Sequence, residues 1–408
     1  MEHKVREYEV GSEFGPEEIE AVRALLESGN TLAYGPLRDK FEKEFADYCG
    51  TPFAVSVTSA TTALHAATQL LQLRERDEII GTPQTFRATY ISAASRRVRI
   101  RFADIQPRTL NIDPDTVERN ITRRTRAIYV VDYGGNPVDL APVMEIAAKH
   151  HLLVVEDAAH APGADYRGKK IGSIADITCF SFHSLKNMNT FGEGGMLTTS
   201  RPEFAEAVKS LRTMGVIGEQ RPRASQAIGP HTRPAFKISD HAGESYTKDF
   251  VRIHEWGGNY RISEVQALIG SIQLRRLDGL NRRRAEVAAR YHAGLSRIDG
   301  IVTPETTPAS TNVWHLYPCF LDRSVIKASR DDFINYLMNT MGVEVILRYF
   351  PVHLADYMRY ESHRYGECPV CERVWFDEQL NLPINPRMPP EEVDRVVDAV
   401  RQTVRHFQ

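Results

Sequence analysis

The sequence lacks several features that would define a specialised class of protein. Only 5 of its 408 residues are cysteines, and an odd number without a secretory leader argues against a disulfide framework. No run of 18 apolar residues and no charged-then-apolar start is present, so we expect a cytoplasmic protein without a membrane span. The formal net charge of −2 gives no reason to expect nucleic acid or an anionic membrane as a partner.

Metal ligands at a recognisable spacing are also scarce. Cys368 and Cys371 have such a spacing, but no second cysteine pair or nearby histidine pair completes a tetrahedral site. We therefore interpret both as structural and predict no metal. The content of 42% apolar and 25% charged residues is typical of a soluble globular protein, and the length allows two domains.

Short apolar runs alternate with amphipathic stretches along the first part of the chain. This rhythm predicts an α/β fold with a mostly parallel sheet and helices on both of its faces. The predicted strands are residues 79–80, 127–131 and 152–155, and the predicted helices are residues 17–27, 63–71 and 142–150.

The last part of the chain predicts a smaller C-terminal α/β domain. A long helical stretch after Ile262, to about Leu295, would bridge to it. We expect a large domain over residues 1–275, with its N-terminal segment packing on the small domain, and the bridging helix and small domain over residues 276–408. The small domain would contain a helix at 331–341, a strand-like stretch at 343–347 and a final helix at 389–407. The polar segment 216–255 is long for a structureless connection, so it predicts either a lid or a mobile loop.

Lys186 stands in the most informative stretch of the sequence, CFSFHSLKNMNTFGEGG at 179–195. The lysine follows a strand-like apolar run and enters a turn that is rich in small residues and glycine. A lysine held in a partly desolvated pocket keeps a neutral amine, which can attack an aldehyde cofactor such as pyridoxal phosphate. For a lysine considered alone, a surface position in a glycine-rich loop is the commoner interpretation. The neighbouring motifs therefore decide between a surface lysine and a Schiff-base lysine.

Two upstream motifs complete the pattern. Asp157 follows a buried apolar strand, and a carboxylate at that position reaches the crevice where α/β sheets bind ligands. It could keep a pyridine nitrogen protonated, although a helix N-cap is an equal alternative from this segment alone. The run AVSVTSATTALH at 54–65 predicts a strand, a tight turn and a helix N-terminus, which together suit a phosphate monoester.

At this point the sequence resembles the DegT/DnrJ/EryC1/StrS family of pyridoxal-phosphate-dependent sugar (or cyclitol) aminotransferases. The resemblance rests on SFHSLKNMNTFGEGG, with VVEDAAHAPGA before it and GGNYRISEVQA after it, and it runs along nearly the whole chain. It implies the fold-type I architecture of pyridoxal-phosphate-dependent transferases, with pyridoxamine phosphate formed in the half-reaction.

The resemblance also implies roles for individual residues. Lys186 would form the Schiff base with the cofactor and move protons, Asp157 would pair with the pyridine nitrogen, and His160 would bond the ring hydroxyl. Phe86 would stack on the ring. The phosphate would be held by Ala60, Thr61, Ser181 and, from the neighbouring subunit, Asn259. A homodimer with shared active sites is therefore expected.

Two positions depart from the family pattern. Ala60 stands where the family usually has glycine, a change that still allows an amide contact if its φ is negative. Asp132 replaces a histidine that often precedes the Tyr-Gly pair, so any substrate role of that position stays open.

The implied activity is the transfer of an amino group from glutamate or glutamine to the ketone of a nucleotide-linked keto-sugar, in amino-sugar or antibiotic biosynthesis. Residues that could line the acceptor site, each equally compatible with a structural role, are Tyr34, His315, Tyr317, Arg348 and His353.

Alternatives to this activity remain open from the sequence. They are a glutamine-dependent aminotransferase for a ketocyclitol of the scyllo-inosose type and a catalytically silent regulatory homologue. A dehydratase of the same family would have histidine in place of Lys186, and a cysteine desulfurase would need a mobile nucleophile, for which Cys371 is the candidate.

Overall fold

The computed structural model describes residues 5–8, 10–216 and 257–408. Its largest element is a seven-stranded sheet with the strand order β1-β9-β8-β5-β4-β2-β3, in which β9 alone runs antiparallel to its neighbours. The mostly parallel sheet predicted from the sequence is thereby confirmed. The strands are β1 (Phe53–Val57), β2 (Glu78–Gly81), β3 (Arg99–Phe102), β4 (Thr125–Val131), β5 (Leu153–Asp157), β8 (Ile177–Ser181) and β9 (Gly195–Thr199).

Alternate residues of the central strands enter two different hydrophobic layers. In β5, Val155 packs into one layer and Val154 into the other, because successive side chains of a strand point to opposite faces. Helices supply the opposing surfaces, so the sheet is covered on both sides. The α-helices are Pro16–Glu27, Pro36–Cys49, Ala60–Leu70, Ala88–Ser95, Pro114–Arg119, Leu140–His150, Pro202–Leu211, Glu264–Leu295, Arg330–Asn339, Pro369–Arg373 and Pro390–Phe407.

The predicted bridging helix is present as Glu264–Leu295, 32 residues long. It begins at a capping box, in which the side chains of Ser263 and Gln266 each accept a hydrogen bond from the other residue's backbone N–H. Its first half packs into a layer of the large sheet through Leu277, and its second half packs into a third hydrophobic cluster through Tyr291. The helix is continuous through residue 275, and the domain division at that position stays a prediction.

A second, three-stranded antiparallel sheet forms the centre of the C-terminal part. It has the order β10-β12-β13, and a third small sheet has the order β11-β6-β7. The strands are β6 (Asp165–Tyr166), β7 (Lys169–Lys170), β10 (Ile301–Val302), β11 (Ser310–Thr311), β12 (Tyr317–Leu321) and β13 (Gln379–Leu382). Short 3-10 helices occupy Tyr133–Gly135, Val352–Leu354 and Asp356–Glu361, and a π-helical turn occupies Val374–Glu378.

The strand predicted at residues 343–347 was wrong. Val343 bridges to Val5 and Ile346 bridges to Asn381, so this stretch contacts two different neighbours at single positions instead of pairing with one strand. The predicted helices before and after it are present as Arg330–Asn339 and Pro390–Phe407.

The N-terminal strap, which we define as residues 5–8 and 10–12, connects the C-terminal part to the turn that carries Lys186. Val5 bridges to Val343 at one end of the strap. At the other end Gly11 N donates to Ser184 O at 2.8 Å. Gly11 lies so close to the carbonyl oxygens of Leu185 and Lys186 that any Cβ would clash with them, so the approach requires glycine.

No helix in the described ranges combines the length and apolar character that crossing a bilayer requires. The segment 216–255, for which the sequence predicted a lid or a mobile loop, lies outside the described residues except for Val216.

Candidate active site

Several strands of the large sheet end at the same edge, and a cavity of about 450 Å³ opens there. The carboxyl edge of a parallel sheet is where α/β proteins bind ligands. The cavity is bordered by all the cofactor residues that the sequence predicted within one chain, namely Ala60, Thr61, Phe86, Asp157, His160, Ser181 and Lys186.

Lys186 lies in the turn after β8, where its backbone N donates to His183 O at 2.8 Å. Its side chain is half-buried and borders the cavity. Burial lowers the pKa of Lys186 to about 7, and Arg348 lowers it further, while the negative charge of Asp157 opposes both. A large fraction of the amine is therefore neutral and nucleophilic near neutral pH.

Asp157 is the last residue of β5, and both of its oxygens are engaged. Thr89 donates its hydroxyl to Oδ2 at 2.7 Å, and Ala159 N donates to Oδ1 at 3.2 Å. Burial raises the pKa of Asp157, and these two hydrogen bonds oppose the shift. A protonated ring nitrogen would remove the cost of burying this charge. The sequence prediction missed Thr89, although its place three residues after Phe86 puts both on one face of a helical turn.

His160 has a defined tautomer. Its Nδ1 accepts from Gly134 N at 3.2 Å, and its Nε2 lies 3.2 Å from the hydroxyl oxygen of Tyr349. Burial lowers the pKa of His160 well below its ordinary value, so the ring is neutral. Because Nδ1 accepts, the single ring proton lies on Nε2. His160 can therefore donate one hydrogen bond to an oxygen in the cavity.

The turn after β1 forms a cradle that presents the first backbone amides of the Ala60–Leu70 helix, which have no partner within the helix. Ser59 caps the Ala60–Leu70 helix by accepting from Thr62 N at 3.2 Å. Ala60 is the first residue of this helix and has a negative φ, as its amide contact requires. A Cβ on Gly195 would lie 2.7 Å from Ala60 N, so only glycine lets β9 pass so close to the turn. The cradle presents the positive end of a helix, which favours a phosphate group.

Aromatic side chains close one side of the cavity. Phe86 is 42% exposed, and its ring centroid lies 5.6 Å from that of Tyr349. The sequence prediction missed Tyr349, which only the folded chain brings beside Phe86. His315 is buried behind this group, with its ring centroid 4.3 Å from that of His160. Neither ring nitrogen of His315 has a hydrogen-bond partner among the described residues.

The structure does not bring all the candidate acceptor residues to the cavity. Arg348 borders it. Tyr317 and His353 do not border this cavity, and a substrate role for either stays a prediction. Tyr317 lies in β12 within the C-terminal hydrophobic cluster, where its hydroxyl meets His292 Nδ1 at 3.1 Å. His353 is fully buried against Glu372, with 2.8 Å between Nε2 and Oε1. Both side chains are buried and bonded to neighbours inside the protein, a position that the residue type alone does not predict.

Tyr34 and Asn259 lie on the surface of the single chain. Tyr34 is 64% exposed and borders a separate cavity of about 890 Å³. Asn259 is exposed and does not border the Lys186 cavity of its own chain. Its backbone is fixed, because Gly258 N donates to Leu211 O and Tyr260 N donates to Arg212 O, each at 2.9 Å. A contact of Asn259 with a neighbouring subunit stays a prediction.

The cysteine that a desulfurase would need is inaccessible. Cys371 is fully buried, and its thiol meets Gln84 Oε1 at 3.4 Å. Burial raises the pKa of this thiol well above its ordinary value, which disfavours the nucleophilic thiolate.

The residues of the cavity fit pyridoxal phosphate. Lys186 offers a neutral amine, Asp157 a buried carboxylate, and the cradle at Ala60 the first backbone amides of a helix. This arrangement on an α/β sheet defines a pyridoxal-phosphate-dependent transferase.

The chain belongs to the DegT/DnrJ/EryC1/StrS aminotransferase family, whose sequence profile matches residues 12–401. It is therefore a pyridoxal-phosphate-dependent aminotransferase of the sugar-aminotransferase type.

Individual relatives support the assignment over nearly their whole length. The chain is 35% identical to the spore coat polysaccharide biosynthesis protein SpsC of Bacillus subtilis, covering 96% of this chain and 95% of that protein. It is 33% identical to the dTDP-3-amino-3,4,6-trideoxy-alpha-D-glucose transaminase of Streptomyces venezuelae, covering 94% and 90%. A crystal structure of S. venezuelae DesV in complex with a ketimine intermediate matches with a TM-score of 0.82 and 33% identity, covering 95% and 94%.

Proposed function

We propose that the chain transfers an amino group from glutamate or glutamine to the ketone of a nucleotide-linked keto-sugar. The observation that carries the proposal is that Lys186, whose pKa is about 7, and the buried carboxylate of Asp157 border one cavity. The similarity to a transaminase named for a dTDP-linked amino-sugar supports a substrate of that class.

The cofactor-binding roles follow from the positions of the side chains. Lys186 would hold pyridoxal phosphate covalently, and Asp157 would pair with its ring nitrogen. His160 would donate a hydrogen bond from Nε2 to the oxygen of the ring hydroxyl, and Phe86 would cover the ring. The phosphate would lie at the cradle, bound by Ala60, Thr61 and Ser181.

The chemistry divides between the cofactor and the chain. When bound, pyridoxal phosphate supplies an electron sink for the charge that develops on the donor's α-carbon. Lys186 Nζ takes the proton from that α-carbon, because an amine with a pKa of about 7 is an effective base at neutral pH. It would pass this proton to the cofactor's aldehyde carbon, and in the second half-reaction the same amine would move a proton from that carbon to the former ketone carbon of the acceptor. Asp157 accepts a hydrogen bond from Thr89 and would pair its charge with the ring nitrogen when the cofactor is bound.

We also propose a homodimer in which Asn259 of each chain reaches the phosphate in the other. The supporting observations are that Asn259 is exposed, that its backbone is fixed and that its own chain's cavity lies elsewhere. The exposed Tyr34 would approach the acceptor across the same interface.

A panel of ketones tests the proposed substrate class. The purified holoenzyme would be converted to its amino form with L-glutamate or L-glutamine and then mixed with dTDP-linked and UDP-linked 3-keto-sugars and 4-keto-sugars, or with scyllo-inosose. Return of the aldehyde-form absorbance with a nucleotide-linked ketone, and an amino-sugar product in the mass spectrum, is the expected result. Reaction with scyllo-inosose alone would assign the ketocyclitol activity instead.

A further inference from the structure

Arg348 places a second basic side chain beside Lys186 at the border of the cavity. Of the described residues that border the cavity, Lys186 and Arg348 are the only lysine and arginine. The backbone of Arg348 is fixed, because Gln379 Nε2 donates to its carbonyl oxygen at 2.7 Å. Its guanidinium also acts on the electrostatics of the site, since its charge lowers the pKa of both Lys186 and His160.

The partner of Arg348 comes from the N-terminal strap. Glu7 Oε1 lies 3.0 Å from Arg348 Nη2, and the two side chains keep 24% and 16% of their surface exposed. The strap fixes Glu7, whose backbone N donates to Glu344 Oε2 at 2.8 Å. Burial raises the pKa of Glu7 although Arg348 opposes the shift. Arg348 thus offsets only part of the cost of burying the Glu7 carboxylate, and both side chains keep some exposure, so another carboxylate can compete with Glu7 for Arg348.

The two substrates of the proposed reaction differ in charge at the same place. The donor's amine must reach the atom that Lys186 Nζ holds, so the donor's α-carboxylate, two bonds from that amine, comes to lie beside Lys186. A neutral keto-sugar ring that later reacts at this place presents no carboxylate there. An unpaired guanidinium would bind the carboxylate of the amino donor, but burying the same unpaired charge beside the keto-sugar ring would be unfavourable.

We propose that Arg348 binds the α-carboxylate of the amino donor, and that Glu7 is the stand-in anion that neutralises Arg348 when the uncharged sugar ring occupies the cavity. The inference rests on the proposed function and adds how one cavity accepts both substrates. The planar guanidinium suits a carboxylate because it offers two parallel N–H donors. Glu7 withdraws when the donor's carboxylate arrives and returns when the keto acid leaves.

Three variants of the full-length holoenzyme test the inference. Glu7→Gln removes the stand-in anion, and Arg348→Gln removes the carboxylate site. Glu13→Gln is the matched control, because Glu13 is a carboxylate of the N-terminal region that pairs with Arg283 at 2.9 Å and does not border the cavity. Binding is measured by calorimetry with 2-methyl-L-glutamate, a donor analogue that has no α-hydrogen to lose. The two half-reactions are followed separately by cofactor absorbance.

The expected results have opposite signs for the two substrates. Arg348→Gln should weaken binding of 2-methyl-L-glutamate by about 10- to 100-fold, since a charge-assisted hydrogen-bonded pair is lost. Glu7→Gln should tighten that binding severalfold and raise the KM of the keto-sugar half-reaction, because the guanidinium is then unpaired beside the sugar. Glu13→Gln should change neither. A merely structural role of Glu7 would impair both half-reactions together.

The inference is overturned if Arg348→Gln binds 2-methyl-L-glutamate as tightly as the unaltered enzyme, or if Glu7→Gln weakens it. Arg348→Lys, which keeps the charge and loses the paired donors, should give an intermediate loss, and a thermal melt of each variant shows whether it is folded. If no ketone of the panel reacts, the proposed sugar substrate fails, while the calorimetric results still decide whether Arg348 and Glu7 act on a donor carboxylate.

Discussion

The titration of Lys186 in the cofactor-free protein gives the most quantitative prediction. Burial lowers the pKa of Lys186 from 10.5 to about 7. At pH 7 about half of these amines should therefore be neutral, against roughly 0.03% for an amine with its ordinary pKa, which is a difference of about a thousandfold. Limited acylation with acetic anhydride over a range of pH, followed by mass spectrometry of the Lys186 peptide, measures this fraction. Nα-acetyl-lysine amide, whose ε-amine is free, provides the reference amine in the same tube.

Two variants check the cause of the shift as well as its size. Asp157 raises the pKa of Lys186 and Arg348 lowers it. Asp157→Asn should therefore move the midpoint of acylation to lower pH, and Arg348→Gln should move it to higher pH. A midpoint near 10 in the unaltered protein, or a shift of the same sign in both variants, would refute the electrostatic account of this site.

Three further predictions concern the residues around Lys186. Asp157→Asn should keep the fold, measured by circular dichroism, but slow the half-reaction with L-glutamate at least about 30-fold, because a neutral amide cannot keep the ring nitrogen protonated; near-normal rates would exclude this role. Thr89→Val removes the hydroxyl that lowers the pKa of Asp157, so the acidic limb of the rate profile should shift to higher pH, and an unchanged limb would contradict the assignment. Equal amounts of Lys186→Ala and Asn259→Ala subunits, exchanged to form hybrid dimers, should regain about a quarter of wild-type activity, since half of the dimers then contain one complete site. Full activity of a monomer in sedimentation experiments would contradict the shared site.

Much of the fold could be predicted because local signals agree with the tertiary structure. The helix Glu264–Leu295 has a capping box at its start, and the final helix has proline at its first position, both of which are visible in sequence. Lys186 and Asp157 were identifiable because the end of a parallel strand fixes where the next side chains lie. The structure brings both to one cavity.

The remaining features depend on contacts between distant parts of the chain. Glu7 meets Arg348 across more than 300 positions of sequence, and Thr89 meets Asp157 through a separate helix. No local pattern encodes either contact. Tyr317 and His353 were assigned to the acceptor site on residue type, but a tyrosine or histidine that bonds a buried neighbour is equally suited to a core.

Reductive trapping at Lys186 tests the central claim most directly. The holoenzyme would be reduced with sodium borohydride, digested and mapped by mass spectrometry. The cofactor mass should be found on the Lys186 peptide alone and should be absent from Lys186→Ala. A label on another lysine, or a label that persists in Lys186→Ala, would contradict the assignment of this cavity as the site of amino-group transfer.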